Sequence, residues 1–296
     1  MKVPGYFSTP QWNTGIYHQS SFDITDRLNF TLGLRFDYEH VSIDYNTYAN
    51  MTFDANVMGQ TASYLLSSKL INSAHHDYKQ LLPKFALTYK IFDDGSNVYA
   101  SVTKGFRSGG YNIQMFSDIL QSDLSANEAN AMRSSYDVAH TDADYKKVNN
   151  TISYKPETSW NYEAGTHINL FGNKIHADFS AFYMQVLNQQ LSVFSSQYGF
   201  GRMMVNAGKS SSCGIEIALR GSAFDNHLQW NVNYGLTHST FKEYTDSVKI
   251  TANDGTSQYQ KVNYSKYYVP SVPMQTFGAN ADYRFDINNC GVLKGV

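Results

Sequence analysis

The sequence predicts an all-β fold, an up-and-down antiparallel transmembrane β-barrel, here about nine to ten strands of a larger barrel. Three observations predict it. Apolar and polar residues alternate with a period of two over unusually long stretches, and short turn-like links alternate strictly with long polar connections. The third is composition: Tyr 23, Phe 18 and Trp 3 make up 15% of the 296 residues while charged residues reach only 16%, against about 25% in soluble domains.

The alternation opens at Trp12–Phe22 and is clearest from Leu28 to Glu39. There Leu28, Phe30, Leu32, Leu34, Phe36 and Tyr38 share one parity, and Asn29, Thr31, Gly33, Arg35, Asp37 and Glu39 share the other. Successive strand side chains point to opposite faces, so this is a strand with one greasy face. It is about twice as long as a usual globular strand. Leu81–Ile91 and Val98–Arg107 repeat the pattern; Thr158–Asn169 sets Trp160, Tyr162, Ala164 and Ile168 against Ser159, Asn161, Glu163, Gly165 and His167. Ile175–Gln185 and Cys213–Gly221 follow. Leu228–Thr237 alternates Leu228, Trp230, Val232, Tyr234 and Leu236 with Gln229, Asn231, Asn233 and Gly235, and Met274–Phe285 closes the series.

Short links rich in turn formers fall at Ile24–Arg27, Asp93–Ser96, Phe171–Lys174, Ala223–Asn226 and Asp286–Gly291. Between them come long polar connections: Asp44–Asp77, Ile113–Ser153, the shorter Phe194–Arg202, and Thr245–Ser265. In a meander this places every tight turn at one end and every long loop at the other, the plan of outer-membrane barrels. A soluble sandwich also alternates. Its solvated parity would carry more Lys and Glu than the Asn, Thr, Ser and Gly seen here, and its strands would be shorter.

The charge balance, 23 − 25 = −2, gives no basic excess for nucleic-acid binding. Mean hydropathy is −0.42, and no stretch approaches the ~18 apolar residues of a membrane helix; alternating barrel strands average out to polar, so they fit this value. Cys213 and Cys290 are too sparse for a disulfide scaffold or a zinc motif and read as unpaired. The opening Met1–Tyr6 has no apolar core and no cleavage site, so it does not read as a signal peptide.

Five stretches resemble the β-barrel of TonB-dependent outer-membrane receptors. They are Leu32-Gly33-Leu34-Arg35-Phe36-Asp37-Tyr38; Val98 to Arg107; Tyr154-Lys155-Pro156-Glu157 through Trp160-Asn161-Tyr162-Glu163-Ala164-Gly165; Asn206-Ala207-Gly208-Lys209 leading into Gly214-Ile215-Glu216; and Tyr268-Val269-Pro270-Ser271-Val272-Pro273. They occur in family order and cover nearly the whole chain. The resemblance implies a 22-stranded barrel around an N-terminal plug, importing scarce iron complexes, vitamin B12, sugars or similar nutrients with energy from the TonB complex. The chain departs from that pattern: it shows no plug, no TonB box and no terminal aromatic at Lys294-Gly295-Val296. It is therefore expected to be a middle-to-late piece of a receptor barrel, residues 1–296, without a plug domain.

Candidate sites were weighed against bland readings. His75-His76-Asp77 has metal-like composition, but adjacent histidines on a strand face apart, and a solvated loop end is the favoured reading. His140-Thr141-Asp142-Ala143-Asp144 starts like a calcium loop but continues without Gly or a closing Glu. Gly105-Phe106-Arg107-Ser108-Gly109-Gly110 lacks G-K-[ST] and is expected to precede a loop. No Ser-His-acid set stands out, so no catalytic residue, cofactor or metal is assigned and an enzyme is not expected. Arg35, Asp37, Lys84, Glu163, Glu216 and Arg220 are expected to face the lumen, pairing with each other or with a plug. Glu39, Arg107, Tyr111, Asn112 and Tyr136 lie toward the long-loop end and are the candidate ligand-binding residues, with Tyr45, Tyr48 and Tyr198 as further loop aromatics. Tyr and Arg are enriched where partners are gripped, while girdle and loop packing are the competing roles of such Tyr residues.

The function read from this is outer-membrane reception of a small nutrient complex, such as an iron–siderophore, at the long loops, with TonB engaging through a plug and outer-membrane lipid as the surrounding partner. A passive porin-like channel, and a barrel adhesin or enzyme, are the rivals.

Overall fold

The computed structural model describes residues 3–57, 60–132, 134–194, 202–251 and 257–285. Strands β1 (Gly5–Ser8) and β2 (Gln11–Asp23) lead into two very long strands, β3 (Leu28–Val57) and β4 (Gln60–Lys90), and then β5 (Asn97–Arg107). A long inter-strand segment follows, holding β6 (Gly110–Tyr111), α1 (Met115–Asn127), β7 (Tyr136–Val138), α2 (Asp142–Ile152) and β8 (Ser153–Tyr154). The wall resumes with β9 (Glu157–Leu170), β10 (Ile175–Phe194), β11 (Arg202–Ala223) and β12 (Leu228–Glu243); after the hairpin β13 (Thr245–Thr251) and β14 (Ser257–Asn263), β15 (Gln275–Tyr283) completes it.

Among the described residues the wall is one 11-stranded sheet in the order β1-β3-β4-β5-β9-β10-β11-β12-β15, with β2 also on β3 and β7 on β4. β1 and β2 lie end to end along β3, against its residues 44–47 and 29–41. They part around Pro10, which has no N–H to give a ladder. Counting β1 with β2 and setting aside the three-residue β7 leaves 11 − 2 = 9 staves. Every stave pairs antiparallel with its sequence neighbour. β2 and β15 do not pair with each other. The fold is an open wall of an up-and-down barrel.

Register explains the two faces. Leu32 opposes Phe85 and Thr31 opposes Ala86, so the apolar parity of β3 shares a face with that of β4. The same face runs through Val102, Tyr162, Tyr183 and Cys213 in adjacent strands. Leu32 is 40% and Phe85 42% exposed. A continuous apolar face of this kind is costly in water and suited to hydrocarbon, and the unbroken backbone ladder between neighbouring staves leaves few polar groups for lipid to meet. The opposite face carries Arg35, Lys84, Glu163 and Glu216.

The tight links sit together at one end, as expected: residues 24–27, 91–96, 171–174 and 224–227. In the second, Gly95 adopts φ +92°, which a side chain would strain, and the Asp94 carboxylate accepts a 2.8 Å bond from the Ser96 N–H. Asp286–Gly291 and most of Phe194–Arg202 lie outside the described residues, as do Tyr198 and Cys290.

The other end corrects the sequence reading. Asp44–Asp77 is not a loop. β3 and β4 pair without interruption from Leu28↔Tyr89 to Val57↔Gln60, so Tyr45 and Tyr48 are strand residues and His75-His76-Asp77 lies inside β4 rather than at a loop junction. The reason lies in a change of parity. Below Glu39 the greasy side chains are even-numbered; above it the buried ones are Val41, Ile43, Tyr45, Thr47 and Ala49, all odd. The alternation persists while the apolar face crosses from outside to inside, which reads as loss of pattern to a scan that follows one parity. Ile113–Ser153 likewise is not an irregular loop but carries two helices, and Thr245–Ser265 holds the β13–β14 hairpin.

Candidate functional site

What draws the apolar face inward above Glu39 is α1. Phe116, Leu120 and Leu124 lie at the i, i+4, i+8 spacing of one helical face and are 1% exposed or less. They pack on Ile43, Tyr45, Ala49, Leu66 and Leu70 of the β3–β4 inner face, with Val148 and Ile152 of α2 closing the cluster. The Phe116 ring stands 4.6 Å from Tyr45 and 5.2 Å from Phe7. α2 begins with a capping box: Thr141 Oγ1 accepts from the Asp144 N–H, and the Asp144 carboxylate accepts from the Thr141 N–H at 2.8 Å. The Thr141 N–H and the Thr141 hydroxyl, which donates to the same carboxylate at 2.7 Å, hold the Asp144 carboxyl below its usual range. The rejected calcium-like run is thus a helix start, and its T-x-x-D spacing was the available signal.

Beside it, His140 Nε2 lies 3.0 Å from Ser68 Oγ and 3.9 Å from the Asp123 carboxylate, joining β4, α1 and the approach to α2. Burial pushes the Asp123 carboxyl up. The long segment is therefore a packed inner lining of the long-loop end. Gly105–Gly110 leads through β6 into α1, not into an irregular loop. Gln114 caps α1 without a side-chain hydrogen bond.

Below the helices a smaller constellation forms on the inner face. Glu39 is 4% exposed and opposes Tyr78 across the ladder. Gln11 Nε2 donates to Glu39 Oε1, while Glu39 Oε2 and Tyr111 Oη are buried without a hydrogen-bond partner. Tyr111 stacks on His76 at 5.7 Å, and His76 stacks on Tyr78 at 6.1 Å. Burial drives the Tyr111 hydroxyl well above its usual range, keeping it a neutral donor. Gly109 is needed here, since a Cβ would come within 2.5 Å of the Tyr154 carbonyl and 2.6 Å of Tyr78 Oη. A carboxylate oxygen and a neutral phenol, both buried without partners, form a polar cluster with unused hydrogen-bonding capacity.

The candidate residues separate on this frame. Glu39 and Tyr111 fall together, with two neighbours: Tyr78, which sequence reasoning missed, and His76, which it set aside as a solvated loop end; their signal was the inward parity of β4. Asn112, 6% exposed, clamps the segment to β11: its Nδ2 donates to the Met204 carbonyl at 2.8 Å and its Oδ1 accepts from the Met204 N–H at 2.7 Å. Arg107 is exposed at the end of β5 opposite Glu157, whose carboxylate accepts from the Gln190 N–H at 2.7 Å. Tyr136 pairs with Leu66, which lies 78 − 66 = 12 residues before Tyr78 in β4, about 40 Å away along the strand. The structure does not bring it to the Glu39–Tyr111 cluster.

On the face opposite the apolar one Arg35 bonds Asp37 at 2.7 Å and Lys84 reaches Gln19 at 3.4 Å. Tyr99 Oη donates to Glu163 at 2.6 Å, and Arg220 lies 3.6 Å from Asp178, which also meets His167 at 2.6 Å. Glu216 shares with Glu163 and Asp178 a concavity of about 560 Å³ on this face. Among the described residues no group of three or more His, Cys, Asp or Glu could hold a metal ion, and Cys213 is a free thiol on the outward face.

Comparison with solved structures gives the same wall. The ferric yersiniabactin uptake receptor FyuA from Yersinia pestis aligns over 94% of this chain and 38% of its own, with 18% identity and TM-score 0.52. The siderophore receptor PiuA from Acinetobacter baumannii aligns over 94% and 32%, with 17% identity and TM-score 0.56, and the ferric-catecholate import receptor Fiu from E. coli over 94% and 32%, with 15% identity and TM-score 0.52. At these identities the likeness is one of fold, and the chain spans about a third of each receptor. The family described as "TonB dependent receptor-like, beta-barrel", one of outer-membrane transport receptors and not of enzymes, matches residues 3–294. With nearly every residue inside that match and the staves, tight turns and lined long-loop end in place, the chain belongs to the TonB-dependent receptor β-barrel family.

Proposed function

We propose that this chain is barrel wall of an outer-membrane receptor, multi-pass in a Gram-negative outer membrane, whose long-loop end binds a small nutrient complex such as an iron–siderophore for TonB-energised import. The observation that carries the reading is the lined mouth: α1 and α2 packed on the inner face of β3–β4, above a floor where Glu39 Oε2 and Tyr111 Oη are buried and unpaired. A buried acceptor without a partner costs about 1–3 kcal/mol, and a guest that donates to it recovers that cost. The siderophore receptor PiuA and the ferric yersiniabactin uptake receptor FyuA among the fold's neighbours support the ligand class. TonB acts in this reading through a plug held in the lumen, where Arg35, Asp37, Lys84, Glu163, Glu216 and Arg220 supply its hydrogen-bond partners. Arg107, Asn112 and Tyr136 contribute by shaping the mouth.

The test uses the full-length receptor on cells. Glu39→Gln with Tyr111→Phe should weaken binding of radio-iron-labelled siderophores at least about tenfold, the loss of one charge-assisted contact, while heat-modifiable gel mobility stays that of a folded barrel. Unchanged affinity for catecholate and hydroxamate siderophores alike, with the barrel folded, would remove these residues from the site.

A further inference from the structure

The two legs of the long inter-strand segment leave the wall where β5 and β9 part, at the Arg107↔Glu157 pair. Beyond it they run as β6 and β8, whose ladder is two pairs long, Gly110↔Tyr154 and Tyr111↔Ser153, and forms a sheet separate from the wall. Two short strands without further partners are marginal on their own. This neck nonetheless places Tyr111, whose ring stacks on His76 at 5.7 Å.

Side-chain amides at the long-loop ends of β10 and β11 fix the neck. Gln190, 6% exposed, donates from Nε2 to the Ser108 carbonyl of one leg at 2.6 Å and to the Lys155 carbonyl of the other at 3.1 Å, so one amide staples both legs. Asn206 meets Lys155 at two points: its Oδ1 accepts from the Lys155 N–H at 2.7 Å and its Nδ2 donates to the Lys155 carbonyl at 2.8 Å. Asn112 makes the converse contact, its side chain meeting both backbone groups of Met204. An Asn or Gln amide carries a donor and an acceptor together, as a peptide group does, so these contacts stand in for a backbone ladder. The staple also reaches the carboxylate. Ser108 Oγ accepts from Gln11 Nε2 at 3.4 Å, and the same nitrogen donates to Glu39 Oε1. Gln11 thereby occupies Oε1, and Oε2 is the oxygen buried without a partner.

We propose that Gln190, Asn206 and Asn112 are positioning residues of the ligand site: a latch of side-chain amides that holds Tyr111 and the Glu39 carboxylate in place and acts on the guest only through those two groups. The proposal rests on the reading of Glu39 and Tyr111 as ligand-binding residues. The Gln190 and Asn112 contacts join neck to wall and not stave to stave, so losing them frees the legs while the antiparallel ladder of the wall stays whole.

The experiment uses the full-length receptor on cells, with Gln190→Met, which keeps the side chain's length and removes its donors, and two readouts. The first is nitration of Tyr111 by tetranitromethane, quantified by peptide mass spectrometry. Burial protects this phenol in the parent, and Gln190→Met should raise its nitration rate at least about tenfold, because two carbonyls lose their donor. The second is affinity for radio-iron-labelled catecholate and hydroxamate siderophores. Gln190→Met should lower it about tenfold in the parent, and by less than about twofold when added to Glu39→Gln with Tyr111→Phe, since the groups it positions are already gone. An equal loss in both backgrounds, the mark of a merely structural role, overturns the proposal, as does unchanged nitration in the folded variant. Should Glu39→Gln with Tyr111→Phe leave binding of both siderophore classes untouched, the ligand-site reading fails by itself, and nitration still decides whether the amides hold Tyr111. Should Gln190→Met lose heat-modifiable mobility, Asn112→Asp, which keeps the acceptor and loses the donor, decides by the same nitration.

Discussion

Replacing Phe116 by Ala in the full-length receptor should release the lining of the mouth without opening the barrel. Phe116 is 1% exposed and wedges between Tyr45 and Phe7 at 4.6 and 5.2 Å. Truncating a buried Phe costs about 3–5 kcal/mol. α1 has 13 residues, a length at which an isolated helix is marginal in water, so its order rests on this packing. The local opening equilibrium should therefore rise by about 10²–10⁴-fold. Hydrogen exchange read by mass spectrometry should show lost protection across residues 115–131, while peptides from β9 to β12 exchange as in the parent. Siderophore affinity should fall in parallel. Unchanged protection in α1 would refute the packing argument, and loss of protection throughout β9–β12 would show that the segment holds up the barrel rather than lining it.

Leu32→Arg should cost about 2–4 kcal/mol of barrel stability and lower folding yield, while Thr31→Arg, one residue away on the lumen face, should cost far less; urea titration of heat-modifiable mobility measures both. The Asp144 carboxyl is held below its usual range by Thr141, so the stability it gives α2 is present above the ordinary carboxylate pKa and lost as pH falls through the depressed value. Amide exchange at residues 142–146 should accelerate through that acid window, and Asp144→Ala should remove the pH dependence. Shortening Asp93–Ser96 should impair assembly, because that link sets the β4–β5 register, seen as loss of the heat-modifiable band. The chain expressed alone should need detergent, since its lipid-facing side and the open edges of strands β2 and β15 would meet water; a soluble monomer in plain buffer would speak against a membrane wall.

The staves were legible because lipid and lumen impose opposite chemistry on adjacent residues, so Leu32 and Thr31 announce their faces in one dimension. Tight turns were legible for a similar local reason, as in Asp93-Asp94-Gly95-Ser96. The mouth was not, because its order comes from contacts far apart in sequence: Ile43 and Leu66 are apolar on account of Phe116 and Leu120, not of any neighbour. The same holds for Asn112, whose two hydrogen bonds to Met204 span the chain from β6 to β11. His76 and Tyr78 became site neighbours only once β4 proved to be a strand through Asp77. The Thr141–Asp144 capping box was local and could have been read; the calcium comparison obscured it.

The receptor reading rests on the inside-outside assignment of β3, and single cysteines read by spin labelling test it most directly. Cysteines placed one at a time at positions 31 to 36 of the full-length receptor in outer membranes, with Cys213, Cys290 and any other native cysteine replaced, should alternate strictly. Labels at 32, 34 and 36 should relax with dissolved oxygen, and labels at 31, 33 and 35 with a water-soluble nickel chelate. Uniform access of the nickel chelate to all six positions, or the opposite alternation, would contradict the barrel wall described here.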